Sequence, residues 1–471
     1  MSGQGKNNLL RLIRNCEPMT MRQQLELTVQ LSIPAIMAQL SSILMQFIDA
    51  SMVGSLGAEA SASIGLVSTT TWLFMGLSSA AATGFSVQVA HLLGAKDPEN
   101  ARSVLRQGLS SVLIFSIILT SIGLAVSGPL PRWLGGGESI LADASGYFRI
   151  FILFLPAFQI NVFASGMLRS SGNMKIPSML NILMCILDII FNFFFIFPTR
   201  DTDILGLAVR IPGAGLGVEG AALGTAAAML VTAALMLYYL CFRSNELDIA
   251  RHKGRFMPTF KCLKNAAGIG IPMGLERMIM CGAQIMSTVI VAPLGTIAIA
   301  ANSFAITAES LCYMPGYGIA DAATTLIGQS IGARRKELTW SFAKITVFMG
   351  MAVMAVMGVI MYIAAPAIIG IMTPVQEVTD LGASVLRIEA FAEPMYAASI
   401  VAYGIFVGAG STLVPCIMNL GSMWAVRLSI AAILAPSLGL KGVWIAMCIE
   451  LCFRGIIFLI RLFRKKWLEK I

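Results

Sequence analysis

Apolar residues along this chain do not alternate with polar ones. They collect in runs of about twenty, the length that carries an α-helix across a bilayer's hydrocarbon core. Twelve such runs begin near Leu27, Ser63, Ser103, Ile140, Ile176, Gly215, Leu263, Ile297, Trp340, Asp380, Leu413 and Leu440, and each predicts a membrane-spanning helix. The first run, Leu27 to Gly54, carries Gln39, Ser42, Gln46 and Asp49 at spacings of three, four and three, which sets them on one face of a helix. Such a stripe needs water or another helix, not lipid. Pro34 lies upstream in the same run, and the backbone carbonyl a proline frees can be satisfied only by protein or a wet cavity.

The twelve runs form two sets of six. A shift of 238 residues aligns Ile33-Pro34 with Ile271-Pro272, Gln46 with Gln284, Gly94-Ala95-Lys96 with Gly332-Ala333-Arg334, and Pro156 with Pro394. The same shift pairs Gly166 with Gly404, Gly172 with Gly410, Pro177 with Pro415 and Asn181 with Asn419. One offset held across five spans marks a duplication. It slips only after the fifth span, where the first half has a longer loop. Because six is even, both halves enter the membrane with the same orientation, and their pseudo-two-fold axis lies along the membrane normal. The division expected is residues 1–242 as one six-helix lobe, 243–264 as a polar, basic linker, and 265–471 as the second lobe. Two such lobes enclose a cleft that can open to one side at a time.

Composition agrees, since 57% of the residues are hydrophobic and only 12% charged, about half the charged share of a soluble globule. The net charge of +9 does not signal nucleic-acid binding. Most of the Lys and Arg gather at Arg11 to Arg22, Lys96 to Arg106, Arg243 to Lys264, Arg334 to Lys344 and Arg461 to Lys470, all on one side if the spans alternate. That bias predicts both termini in the cytoplasm. Residues 1–24 are polar and basic, with no short apolar core before a cleavage site, so no removable signal peptide is expected. The nine Cys residues read as packing residues, with no structural metal site, and Cys448 and Cys452 alone stand one helical turn apart. With two His residues, His91 and His252, and no nucleophile elbow or phosphate loop, the chain does not read as an enzyme or an ATP-driven pump. No cofactor is expected.

The paired loops and helix ends carry a resemblance. Ile48 to Gly54, Val89 to Ala95 with its echo Ile327 to Ala333, Gly166 to Asn173, Gly404 to Gly410, and Leu187 to Phe193 together resemble the MATE (multidrug and toxic compound extrusion) family, most closely its DinF-type side. That resemblance implies an all-α, V-shaped fold of twelve transmembrane helices, in a multi-pass protein of the bacterial cytoplasmic membrane. It implies an exporter of small organic cations driven by exchange for H+ or Na+, working as a monomer in the bilayer. A flippase for lipid-linked oligosaccharides, from the same broad superfamily, is the alternative; its cleft would favour phosphate anions and be rich in Arg and Lys. Two departures matter. Met280 and Tyr396 stand where one branch of the family has acids, and Val407 stands where Arg is common, so coupling is expected in the N-terminal lobe.

Eight acids fall at or near membrane depth: Asp49, Asp188, Glu276, Glu309, Asp321, Glu389, Glu393 and Glu450. Arg277, Arg427 and Arg454 are the bases available to balance them, which predicts an interior that favours cations. Burying an ionised carboxylate in a span costs about 2.5 to 3.5 kcal/mol. Asp49 and Asp188 are the pair expected to couple, with Asn181 and Asn192 on the same face of the fifth span as Asp188 and a transient Na+ or a proton as the occupant. Gln46, Gln284, Glu276, Glu389, Glu393 and Tyr396 are candidates for lining the cleft and meeting substrate, with Glu276 also expected to pair with Arg277 and Glu450 with Arg454.

Overall fold

The computed structural model describes residues 3–204 and 207–469. A short helix, α1 (Gly3–Arg14), precedes the first span, α2 (Met21–Gly54). Then come α3 (Ala58–Gly94), α4 (Pro98–Ser127), the single turn α5 (Leu130–Trp133), α6 (Leu141–Leu153), α7 (Leu155–Ser170), α8 (Lys175–Ile196) and α9 (Gly217–Tyr238). The second half holds α10 (Phe260–Val291), α11 (Thr296–Gly332), α12 (Lys336–Met372), α13 (Gln376–Glu389), α14 (Glu393–Gly408), α15 (Leu413–Gly421), α16 (Ser429–Leu438) and α17 (Leu440–Phe463). α15 and α16 are joined by π-helical turns at Ser422–Leu428 into one span. Ten helices are long and apolar enough to cross a membrane, and two bent pairs bring the number to twelve among the described residues.

The bent pairs are copies of one another. α6 and α7 meet at 46°, with Pro156 just past the break, and α13 and α14 meet at 60°, with Pro394 in the equivalent place. Proline is tolerated there because the first turn of a helix leaves its N–H groups unpaired in any case. The duplicated loops fold alike as well. Lys96 and Arg334 both take positive φ, at 59° and 55°. In both loops the amide of the next residue, Asp97 or Arg335, returns to a carbonyl five residues back, Leu92 or Ser330, the C-terminal pattern that closes a helix.

The two halves meet through α2 on α11 and α3 on α10. Glycine permits it. A Cβ at Gly84 would strike the Ala266 carbonyl, one at Gly94 the Gln329 carbonyl, one at Gly332 the His91 carbonyl, and one at Gly318 the backbone of Ile36, so the helices approach backbone to backbone. The side-chain hydrogen bonds between the halves lie toward the end that carries both termini; they include His91 Nε2 with Gly408 O at 2.8 Å and Gln329 Nε2 to Ser170 O at 2.7 Å. At that end Leu10 and Ile13 of α1 share a core with Leu27, Phe342, Phe406, Trp467 and Leu468. Toward the other end Gln46 of α2 and Gln284 of α10 are exposed.

Two elements depart from the sequence reading. Residues 1–24 hold α1, whose apolar side seals the closed end, and the longer loop of the first half is an antiparallel hairpin, β1 (Pro198–Ile204) with β2 (Leu207–Ala214).

Candidate functional site

Asp49 sits in the last two turns of α2, and Asp188 and Asn192 are one turn apart on α8, which packs along α2. Asn192 Nδ2 donates to Asp49 Oδ1 at 2.8 Å and to Asp188 Oδ2 at 3.1 Å. One amide therefore bridges two carboxyl groups that lie against each other. Asp188 and Asn192 are fully buried, while Asp49 is half-buried. Asp188 Oδ1 and Asn192 Oδ1 have no hydrogen-bond partner. Carboxylate and amide oxygens with spare lone pairs are the donor set a proton or a hard monovalent cation takes. Two carboxylates in contact inside protein repel each other unless a cation lies with them.

Two further helices close the group. Thr225 of α9 lies beside Asp188, and the Tyr147 ring of α6 lies near both acids. Between Tyr147 and Thr225 is a cavity of about 20 Å³, bounded also by Phe151, Phe158 and Met229, room for one water molecule. Gly224 is what lets α9 pack so closely, because a Cβ there would collide with Asn192 Oδ1. Gly224→Ala is therefore expected to push the Asn192 amide off the carboxyl pair with the protein still inserted. Activity per molecule of folded protein, compared with Asn192→Ala, checks this, since the two substitutions should give the same phenotype.

Asn181 is not part of the group. It lies on α8 two turns from Asp188, about 10 Å along the axis, is half-buried, and makes no hydrogen bond to either acid. Sharing a face with Asp188 does not place it at the same depth. Its copy in the second half, Asn419, does hold an acid: Asn419 Nδ2 donates to Glu276 Oε1 and the Tyr403 hydroxyl to Glu276 Oε2, both at 2.6 Å. Glu276 is consequently buried and makes no ion pair with Arg277, correcting both expectations for it.

Glu389 and Glu393 do not line the cleft. Both are wholly buried inside the second lobe, near Glu309 and Cys312, with no hydrogen bond to any of their four carboxyl oxygens. The spacing that put them on one helix face was right, but that face turns into the lobe. Tyr396 is half-buried and packs edge-on against Tyr313, with ring centroids 5.6 Å apart. Gln46 and Gln284 are exposed. Glu450 and Arg454 pair at 2.6 Å, as their one-turn spacing predicts. The surplus of acids does not make the cleft acidic, because most of those acids are enclosed.

Sequence reasoning passed over Arg169. At the end of α7 its Nη1 meets Asp321 Oδ2 of α11 at 2.6 Å, and Gln39 Nε2 of α2 donates to the same oxygen at 3.2 Å. This three-helix knot joins the lobes at the closed side. The signal was an arginine in the first copy of a loop whose second copy has Val407. The carboxyl pair is asymmetric too: the shift of 238 sets Ser287, Val426 and Ile430 against Asp49, Asp188 and Asn192.

The chain matches the MatE family profile in both halves, over residues 34–194 and 272–433. It is 25% identical to a probable multidrug resistance protein NorM of Thermotoga maritima over 452 residues, 93% of this chain and 92% of that one. With the multidrug resistance protein MdtK of Yersinia pestis it shares 23% over 448 residues, 93% of this chain and 94% of the other. Among solved structures, an outward-facing multidrug resistance MATE transporter superposes with a TM-score of 0.87 at 23% identity, covering 98% of this chain and 99% of that one. A MATE protein in the straight conformation gives 0.87 at 24%, with the same coverage.

Proposed function

The chain belongs to the MATE family, matched in both of its halves, and on that premise we infer that it is a cation-coupled antiporter that exports organic, mostly cationic, drug-like molecules by alternating access. One observation carries the reading: two carboxyl groups, Asp49 and Asp188, are held together by Asn192 inside the first lobe. A proton or Na+ entering this group neutralises a repulsion that otherwise strains α2 against α8. α2 also carries Gln39 into the knot at the closed side. Occupancy of the pair and the direction of the opening are thereby linked through one helix. The lobes that rock are residues 1–242 and 265–471, with 243–264 as tether. The protein acts as a monomer in the bacterial cytoplasmic membrane with both termini inside, so that the present state opens outward. The buried acid in the fifth span favours the DinF-type side of the family.

Everted membrane vesicles test the reading. A proton gradient or a sodium gradient imposed separately is expected to drive uptake of ethidium with one ion and not the other, and collapse of that gradient with an ionophore should release the dye. Uptake indifferent to both gradients contradicts it. The flippase reading needs a cleft rich in Arg and Lys, and scrambling of a fluorescent lipid-linked sugar without ethidium transport would favour it instead.

A further inference from the structure

Arg14 closes α1 and spends all three of its side-chain nitrogens on different parts of the chain. Nε donates to Gln329 Oε1 of α11 at 3.2 Å, Nη2 donates to the Ser171 carbonyl just past α7 at 3.2 Å, and Nη1 pairs with Glu246 of the linker. One guanidinium therefore holds both lobes and the segment that joins them. Its side chain is only 12% exposed. A planar fork of donors suits three acceptors lying in different directions, as a single ammonium does not.

α1 and the linker are equivalent pieces, each the lead-in to the first span of its half, since the shift of 238 sets residues 3–14 against 241–252. Each is strapped to the lobe it does not lead into. The linker lies on α4 of the first lobe, where Arg102 Nη1 donates to the Glu246 carbonyl at 3.1 Å, Arg106 to the His252 carbonyl, and the Thr259 amide to Gln107 Oε1 at 2.9 Å. α1 lies on the second lobe, where Arg335 Nη1 donates to the Leu12 carbonyl at 3.1 Å, and Leu10 and Ile13 share a core with Phe342 of α12 and Phe406 of α14. Arg14 carries the bonds back from α1 to the first lobe, to Ser171 and to Glu246 on the strapped linker. Beside them Leu10 lies so near Gly172, held at a φ of 88°, that a Cβ there would strike it. Parting the lobes on this side must break these contacts.

We propose that Arg14 is a positioning residue for alternating access: carried on the second lobe by α1, it latches the first lobe and the linker, and the closed side opens when its bonds to Ser171 and Glu246 break. This rests on the efflux reading and adds to it the element that sets how readily the closed side parts. The knot at Arg169 ties span to span. The latch at Arg14 ties lead-in to lead-in.

Thr325 of α11 reports on the seam, because it is buried and its hydroxyl donates to the Arg169 carbonyl of the first lobe at 3.2 Å. Ser116 of α4, fully buried against helices of the first lobe, is the control. Each is replaced by Cys in full-length protein lacking the native cysteines, purified, and alkylated with a water-soluble maleimide. Arg14→Gln should quicken alkylation of Thr325→Cys about tenfold, the scale of losing one charge-assisted contact, and leave that of Ser116→Cys unchanged. Arg14→Lys, which keeps the charge but not the fork, should quicken it less. Arg14→Gln combined with Glu246→Gln should be no faster than Arg14→Gln alone, since both remove the same pair. An unchanged rate at Thr325→Cys, an equal acceleration at both reporters, or Arg14→Lys as fast as Arg14→Gln would overturn the latch. Alkylation needs neither gradient nor cargo, whereas the efflux reading fails by absence of gradient-driven ethidium uptake in vesicles, so the two can be told apart.

Discussion

Asp188→Asn should leave a folded, membrane-inserted protein that no longer couples ion flow to drug movement. Asparagine has the volume of aspartate and still offers an oxygen to the Asn192 amide, which in the native protein donates to Asp188 Oδ2 at 3.1 Å. What disappears is the charge. If the acids merely tied α2 to α8, an amide would tie them as well, and transport would survive. If they hold the coupling ion, gradient-driven ethidium uptake in everted vesicles should fall about 100-fold, toward the upper end of coupling strengths between linked sites. Thermal stability of the purified variant should stay level or rise, because a buried like-charge contact has been removed. Asp49→Asn is expected to behave in the same way. The two together should be no worse than either alone, as befits residues that act as one unit. Equal loss of folded protein and of transport would return the pair to a structural role.

Arg169→Ala is expected to loosen the closed side. The pair it forms with Asp321 bridges the lobes, and the two side chains are 27% and 32% exposed. Their contribution therefore lies between that of a surface pair and that of a buried one, about 1 to 2 kcal/mol, or roughly tenfold in the balance between closed and open. Ser330, fully buried two residues before the interface glycine Gly332 of α11 with its hydroxyl unpartnered, reports on this when replaced by Cys in a background lacking the native cysteines. Its alkylation by a water-soluble maleimide should quicken about tenfold in Arg169→Ala. The swap Arg169→Asp with Asp321→Arg should restore part of the protection. An unchanged rate would show that the glycine contacts at Gly94 and Gly332 hold the lobes without it.

The spans were legible because run length alone distinguishes a helix that must cross lipid from one that need not. The shift of 238 aligned Pro156 with Pro394, but that both stand at breaks between bent helix pairs is read from the structure. α1 was not read, since a twelve-residue helix with Leu10 and Ile13 on one side is too short to stand out and gains its order from the core it seals. The pairing of Asp49 with Asp188 could be anticipated from two costly charges only with the family resemblance, which implies that the first and fifth spans abut. The partners of Glu276 could not, because Tyr403 and Asn419 lie 127 and 143 residues away. Periodicity says which residues share a face but not which way the face turns. That is why Glu389 and Glu393 were placed on the cleft and are found inside the lobe, and why Arg277 was assigned a partner it does not have.

The central claim is that a cation on the Asp49–Asp188 pair and cargo in the cleft oppose each other through α2. Ethidium affinity of the purified protein, measured across a range of pH and of Na+ concentration, tests it most directly. The account expects affinity to fall about tenfold as the coupling ion saturates the native protein, and to stay flat in Asp49→Asn. The same ion dependence in both proteins would contradict it.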